Sequence, residues 1–225
     1  MGGLGCTIPI KHPGCIWAKQ IKTEMIWFDT FFSGNGASIE RFFSLDAFNR
    51  VGAVVEIGTD ASPWGLGGWL SIDGSITQYF ASPLTKDDSD KYGILLADAM
   101  GQQVWEALAI LVAVDLWSDT WKQQRIFLKV KSDNVTALTL LTKMRTKKDS
   151  PELAIIAREL ALRLVDLSFP PDAEHTPGLG HVFADRLSRV FAPTGKGFIT
   201  SDLHPAMATA QVAQAPARGP SFYKP

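Results

Sequence analysis

Residues Glu56–Leu70, EIGTDASPWGLGGWL, decide the fold. The apolar run Ala53, Val54, Val55 and Ile57 leads into Thr59-Asp60, and Ser62-Pro63 breaks it. Short, β-branched and stopped by turn residues, that run reads as a buried strand ending at Asp60. The chain resumes as Gly65-Leu66-Gly67-Gly68-Trp69-Leu70, a hairpin partner thinned by glycine where backbone or ligand comes close. Asp60 therefore stands at the end of a core strand. A lone carboxylate there is either a turn former or a group held out to a ligand from a rigid base.

Working outward, the second strand runs from Leu66 to Ile72, and Asp73-Gly74 is a two-residue hairpin turn. A third strand covers Ser75 to Ala81, which completes an antiparallel meander. Ser82-Pro83-Leu84 and the acidic run Asp87-Asp88-Ser89-Asp90 read as a loop. A long helical pattern follows from Leu95 to Trp121, with Val104, Leu108, Leu111 and Val112 at helical spacing and Gly101 as a break point. Ile126 to Lys131 is a short strand leading to Ser132-Asp133, and Asn134 to Met144 is a helix. Lys143, Arg145, Lys147 and Lys148 form a basic turn before Ser150-Pro151-Glu152, a helix start with proline in its first turn. That helix reaches Leu167, Pro170-Pro171 stops it, Ala173 to His175 is a brief strand, and His181 to Val190 is the last helix. Residues 1–50 read as irregular but aromatic, with a short helix opening near Ser38; beyond Ala192 the composition turns to Ala, Pro, Gly and Gln and reads as a disordered tail.

The 225 residues suit one domain with extra material, and 46% hydrophobic content with seven tryptophans supports a large core. A net charge of −1 gives no global attraction to polyanions, so any nucleic-acid contact must come from a local patch. Cys6 and Cys15 are too few for a four-ligand zinc site, and nothing secretory suggests a disulfide. No apolar run reads as a membrane span, and the start lacks a leader pattern, so the expectation is an intracellular chain, cytoplasmic or nuclear.

A meander followed by helix, strand, helix, helix, strand and helix is an α/β layout. The strand ending at Asp133 crosses over through the long helix, which makes it parallel to the first strand. Asp60 and Asp133 then stand side by side at the carboxyl edge of the sheet, where such folds bind ligands. Glu106 lies inside the apolar helix segment VWEALAILVAV, where it either faces solvent between two stripes or is drawn in to bind a cation. Asp185, on the last helix, is either a solvated residue pairing with Arg186 or Arg189, or a fourth member of the cluster. Converging carboxylates repel unless cations neutralise them, and oxygen-only ligands suit Mg²⁺ or Mn²⁺. Two such ions can activate water and stabilise a leaving oxygen in phosphodiester hydrolysis.

In order and local sequence the chain resembles the ribonuclease H family, specifically the ribonuclease H domains of retroelement polyproteins. TDASPWGLGGWL is similar to that family's first hairpin and ITQYFASPL to its third strand. WEALAIL resembles its glutamate helix, KSDNVTAL its second aspartate, and HTPGLGHVFADRLSRV its final loop and helix. The resemblance covers Val54 to Val190. It implies a ribonuclease H-like fold with a mixed five-stranded sheet, three strands of meander and two parallel, flanked by helices over residues 51–191. It implies that Asp60, Glu106, Asp133 and Asp185 bind two Mg²⁺ or Mn²⁺ ions, with His175 assisting product release. The substrate would be an RNA–DNA hybrid contacted by Trp64, Gly65, Asn134, His181 and the basic turn Lys143, Arg145, Lys147 and Lys148. Residues 1–50 would be the remnant of a polymerase connection region, with a reverse transcriptase domain as partner, and 192–225 a disordered Ala/Pro-rich tail. Three features depart from the family: His181 where asparagine is frequent, Pro170-Pro171 before His175, and a longer segment from Lys91 to Gln103. The rival readings are a catalytically inactive nucleic-acid-binding or scaffold module of the same fold, and another nuclease or integrase-like enzyme of the superfold.

Overall fold

The computed structural model describes residues 18–33, 45, 49, 51–121, 126–144, 146, 150–165, 167, 170–178, 181–193, 205 and 208–223. Strands β1 (Ala53–Ser62), β2 (Gly65–Ile72) and β3 (Ser75–Pro83) form the antiparallel meander. The turn at Asp73-Gly74 has φ of 49° and 83°, the doubly left-handed geometry of a tight hairpin. Asp73 Oδ1 also accepts from Val54 N at 2.9 Å, which ties the turn to β1.

Strand β4 (Ile126–Ser132) pairs parallel with β1, Val55 opposite Leu128 and Gly58 opposite Lys131. Continuing that register brings Asp60 and Asp133 to the same edge, as the crossover argument requires. Strand β5 (Asp172–His175) adds outside β4 in parallel, despite the preceding proline pair. The sheet has six strands, not the five expected, in the order β5-β4-β1-β2-β3-β6. The sixth, β6 (Gln211–Val212), comes from the C-terminal stretch and pairs parallel with Gln78 and Tyr79 of β3.

Three other expectations change. Residues Ala18–Phe32 form helix α1 rather than irregular chain, and its Glu24 pairs with Arg158 at 2.5 Å. The helix expected near Ser38 lies outside the described residues. The acidic run forms helix α2 (Lys86–Tyr92), because Thr85 and Asp88 make a reciprocal capping box and Gly93 closes the far end at φ 66°. The long helical pattern resolves into a 3₁₀ turn over Ala99–Gly101 and helix α3 (Gln102–Leu116).

Helix α3 is buried all round from Val104 to Val114, packing on β1 and β2 and against helices α4 (Val135–Lys143) and α5 (Pro151–Arg163). A helix without a solvated face is a core helix. The stretch Ala99–Leu116 is long and apolar enough to cross a membrane by composition, yet two thirds of it, 67%, is buried inside this fold. The core lies between α3 and Val55, Ile57, Leu66, Leu70 and Phe80 of the meander, closed by Leu140, Leu141, Ile156 and Leu160. Helix α6 (Val182–Ser188) covers the opposite side of β2, around Leu187, Phe183 and Trp69.

The tail expected to be disordered is in part a strap. Arg218 is buried, its guanidinium bridging both oxygens of Asp88 at 2.9 and 3.0 Å and reaching Ser82 Oγ at 2.8 Å. Phe222 and Tyr223 are buried beside it, and Tyr92 and Tyr223 hydroxyls meet at 3.1 Å. Composition averaged over the tail hides these few anchors. Asp88 is fully buried, so removing its cation leaves a charge stranded away from water. Arg218→Ala is expected to lower the urea-unfolding free energy by about 3–5 kcal/mol. The double substitution Asp88→Asn with Arg218→Met should recover much of that loss.

Candidate metal centre

Three elements bring three carboxylates together. Asp60 sits near the end of β1, Glu106 on the second turn of α3, and Asp133 directly after β4. One oxygen from each lies within 4.8 Å of the others. Asp60 and Glu106 are buried at 4% and 3% exposure, while Asp133 faces solvent. Glu106 does not face outward, because α3 has no outward face.

The surroundings hold each group. Gln102, one turn before Glu106, donates to Glu106 Oε1 at 2.7 Å and to the Ala61 carbonyl at 2.6 Å, which joins α3 to β1. Glu106 Oε2 is buried with no hydrogen-bond partner among the described residues. A buried, unpaired carboxylate oxygen is costly unless something positive meets it. Ser188 at the end of α6 donates from Oγ to Asp60 Oδ2 at 2.6 Å.

Burial, with the neighbouring Asp133 and Asp185 charges, pushes Asp60 up to about 7, against the lowering effects of Ser188 and Arg189. Burial, then the nearby Asp60 charge, pushes Glu106 up to about 9. Two acids that resist ionisation side by side would be relieved by a cation, and an all-oxygen set with an orphaned oxygen fits a hard divalent ion.

Asp185 is not within the triad. Its carboxylate accepts from Arg189 Nε at 2.7 Å and pairs with Nη2 at 2.6 Å, although its charge still reaches Asp60. His175 is exposed at the end of β5, and Nε2 donates to the Asp133 carbonyl at 3.0 Å, so it borders the site. A Cβ on Gly178 would stand 3.8 Å from Asp133 Oδ2.

The residues expected to touch substrate divide. Trp64 is half-buried in the turn after β1, its carbonyl accepting from Leu84 N at 3.0 Å. Asn134 is the N-cap of α4, accepting from Ala137 N at 3.0 Å. Lys143 is exposed at the end of α4. Arg145, Lys147 and Lys148 lie outside the described residues. The other two lie inside the fold. Gly65 is buried, and a Cβ there would stand 2.9 Å from the Ser188 carbonyl and 3.0 Å from that of Ser82, so its lack of a side chain admits α6. His181 is buried too, and Nε2 donates to the Thr59 carbonyl at 2.6 Å, fastening the start of α6 to β1.

Sequence reasoning missed Gln102 and Ser188. The signal for each was a polar residue one helical turn from a candidate carboxylate, Gln102 four before Glu106 and Ser188 three after Asp185.

The raised acids give a sign to test. In the metal-free fold Asp60 and Glu106 keep protons that the unfolded chain releases above about pH 4. Their contribution to stability is therefore complete below that pH and is lost as pH rises through 7 and then 9. In EDTA the melting temperature should fall across this window, and Mg²⁺ should restore more of it at pH 9 than at pH 6. Glu106→Gln should flatten the profile and raise the metal-free melting temperature at pH 8, by about 2–4 °C per kcal/mol relieved. A profile unchanged by Glu106→Gln would count against the assignment.

No family model and no curated protein matches the chain. Among solved structures it is similar to ribonuclease H1 from the halophilic archaeon Halobacterium salinarum NRC-1, at 17% identity over 61% of this chain and 96% of that one, with a TM-score of 0.42. It is similar to LC11-RNase H1, isolated from compost by a metagenomic approach, at 16% identity over 60% and 91%, TM-score 0.42. The N-terminal RNase H domain of rv2228c from Mycobacterium tuberculosis gives 16% identity over 61% and 95%, TM-score 0.42.

Proposed function

We propose that this chain is a divalent-metal-dependent endonuclease that hydrolyses the RNA strand of RNA–DNA hybrids. The observation that carries the reading is the convergence of Asp60, Glu106 and Asp133 from β1, α3 and the end of β4, with a buried oxygen of Glu106 left unpartnered. The motif order that resembles ribonuclease H runs through the same three elements. These residues would hold Mg²⁺ or Mn²⁺, two ions when Asp185 at the rim takes part. Bound there, such ions lower the pKa of a water and offset charge on the leaving oxygen.

The chain's own groups divide the remaining work. Once a cation displaces their protons, Asp60 and Glu106 would supply negative charge in a water-poor floor, where attraction to that cation is strong. Asp133 is open to solvent and offers its carboxylate where a phosphodiester arrives. His175, exposed and tethered to the Asp133 carbonyl, would assist product release. The turn at Trp64 lies beside β1's end and suits contact with the wide minor groove of an A-form-like hybrid. The basic run of the sequence that begins at Lys143 and includes Arg145, Lys147 and Lys148 would supply the local positive charge that a net charge near zero otherwise withholds. The domain would derive from a retroelement and follow a reverse transcriptase, which α1 and the preceding residues would join to it.

One observation favours a second reading, a binding module that keeps the fold without turnover. Asp185 is already engaged by Arg189, which offsets its charge without a metal ion.

Cleavage separates the two. With Mg²⁺, a labelled RNA–DNA hybrid should be cut in its RNA strand only, beside intact duplex DNA and duplex RNA. Asp133→Asn should reduce the rate by about 10²-fold or more, since even outer partners of a metal ligand are worth 10–100-fold. Hybrid binding without cutting in Mg²⁺ or Mn²⁺ would select the binding module.

A further inference from the structure

Ser188 is fully buried at the end of α6, and its hydroxyl faces two acceptors. One is Asp60 Oδ2 at 2.6 Å, and the other is the Asp185 carbonyl at 2.9 Å, the acceptor one turn back that helical serines commonly use. A hydroxyl has one proton, and the bond to Asp60 is the shorter of the two and is strengthened further when a cation ionises that carboxylate. The Asp185 carbonyl is thus a fallback that satisfies Ser188 whether or not Asp60 is there.

The backbone around Ser188 leaves it little room to move. Ser62 Oγ donates to the Ser188 carbonyl at 2.7 Å, so β1 and α6 hold each other at two points. The same Ser62 oxygen accepts from Trp64 N at 3.3 Å and Gly65 N at 3.2 Å, fixing the turn beyond β1. A Cβ on Gly67 would lie 2.4 Å from Ser188 N and 2.7 Å from the Ala184 carbonyl, so α6 rests directly on the β2 backbone.

We propose that Ser188 is the positioning residue of the metal centre. By holding one oxygen of Asp60 it sets the rotation of that carboxylate toward Glu106 and Asp133, and it ties that rotation to the helix carrying Asp185. It touches neither substrate nor ion. The inference rests on the reading of the triad as a metal site, and its primary measurement needs no cleavage.

Mn²⁺ binding to the full chain, followed by calorimetry and by the loss of the free-ion electron paramagnetic resonance signal, tests it. Ser188→Ala should weaken binding by about 10–100-fold, the range for outer partners of metal ligands. Ser188→Cys, with a similar size and a weaker donor, should fall between. Ser62→Ala cuts the other arm of the clasp without touching Asp60; it should lower the melting temperature in EDTA and leave Mn²⁺ affinity within about twofold of the unsubstituted chain. In cleavage, the half-saturating Mg²⁺ concentration for Ser188→Ala should rise in step while KM for the hybrid stays unchanged. Unchanged affinity in Ser188→Ala, equal weakening in Ser62→Ala, or no Mn²⁺ binding by the unsubstituted chain would each overturn the assignment. Ser188-dependent Mn²⁺ binding in a chain that cuts no hybrid would support it while refuting the nuclease reading.

Discussion

Two carboxylates pressed together away from water are the constraint on which this structure turns. Asp60 and Glu106 are nearly inaccessible, burial raises the proton affinity of both, and the Asp60 charge raises that of Glu106 further. Such a pair is unfavourable in a folded chain unless surrounding groups hold it for a ligand. The surroundings do hold it. Gln102 grips Glu106 and the β1 backbone, and Ser188 grips Asp60. The electrostatic cost sits at one edge of the sheet, and the apolar mass of α3 beneath it supplies the stability that tolerates it.

The second consequence concerns α6. This helix is only seven residues long and cannot stand without its contacts. It is fastened by His181 to Thr59, by Ser62 and Ser188 to each other, and by the seating of Leu187 and Ala184 against Gly67. The glycines of β2 therefore belong to the architecture of the site, although none offers it a chemical group. Shape at β2 and charge at β1 are two parts of one device.

The C-terminal strap solves a different problem. Strand β3 would otherwise be an open edge, a template for unwanted pairing. Gln211 and Val212 cover part of that edge, and the buried Arg218–Asp88 pair fixes the strap to α2. The strap thereby closes the side of the sheet farthest from β5.

The meander, the crossover, the apolar helix that carries Glu106 and the three carboxylates that converge were legible in the residues alone. Each rests on local chemistry that survives folding: β-branched runs, Asp-Gly at a turn, apolar spacing, and a charge set in an apolar stretch. Strand β6 and the strap were hidden, because their anchors are few and distant in sequence from Ser82, Asp88 and Tyr92. Helix α1 went unread although Ile21, Met25, Phe28 and Phe32 recur at helical spacing, because the surrounding glycines and aromatic pairs suggested irregular chain. Whether Glu106 faced inward, whether Asp185 joined the triad, and what His181 and Gly65 do were tertiary questions. Side-chain direction in a helix buried on all sides, and the choice of Asp185 between a cation and Arg189, depend on what packing brings within a few ångströms. Sequence determined which elements form and which residues carry charge. Tertiary structure decided which charges meet and which neighbours hold them, because burial and Coulomb interactions depend on distance in space and not along the chain.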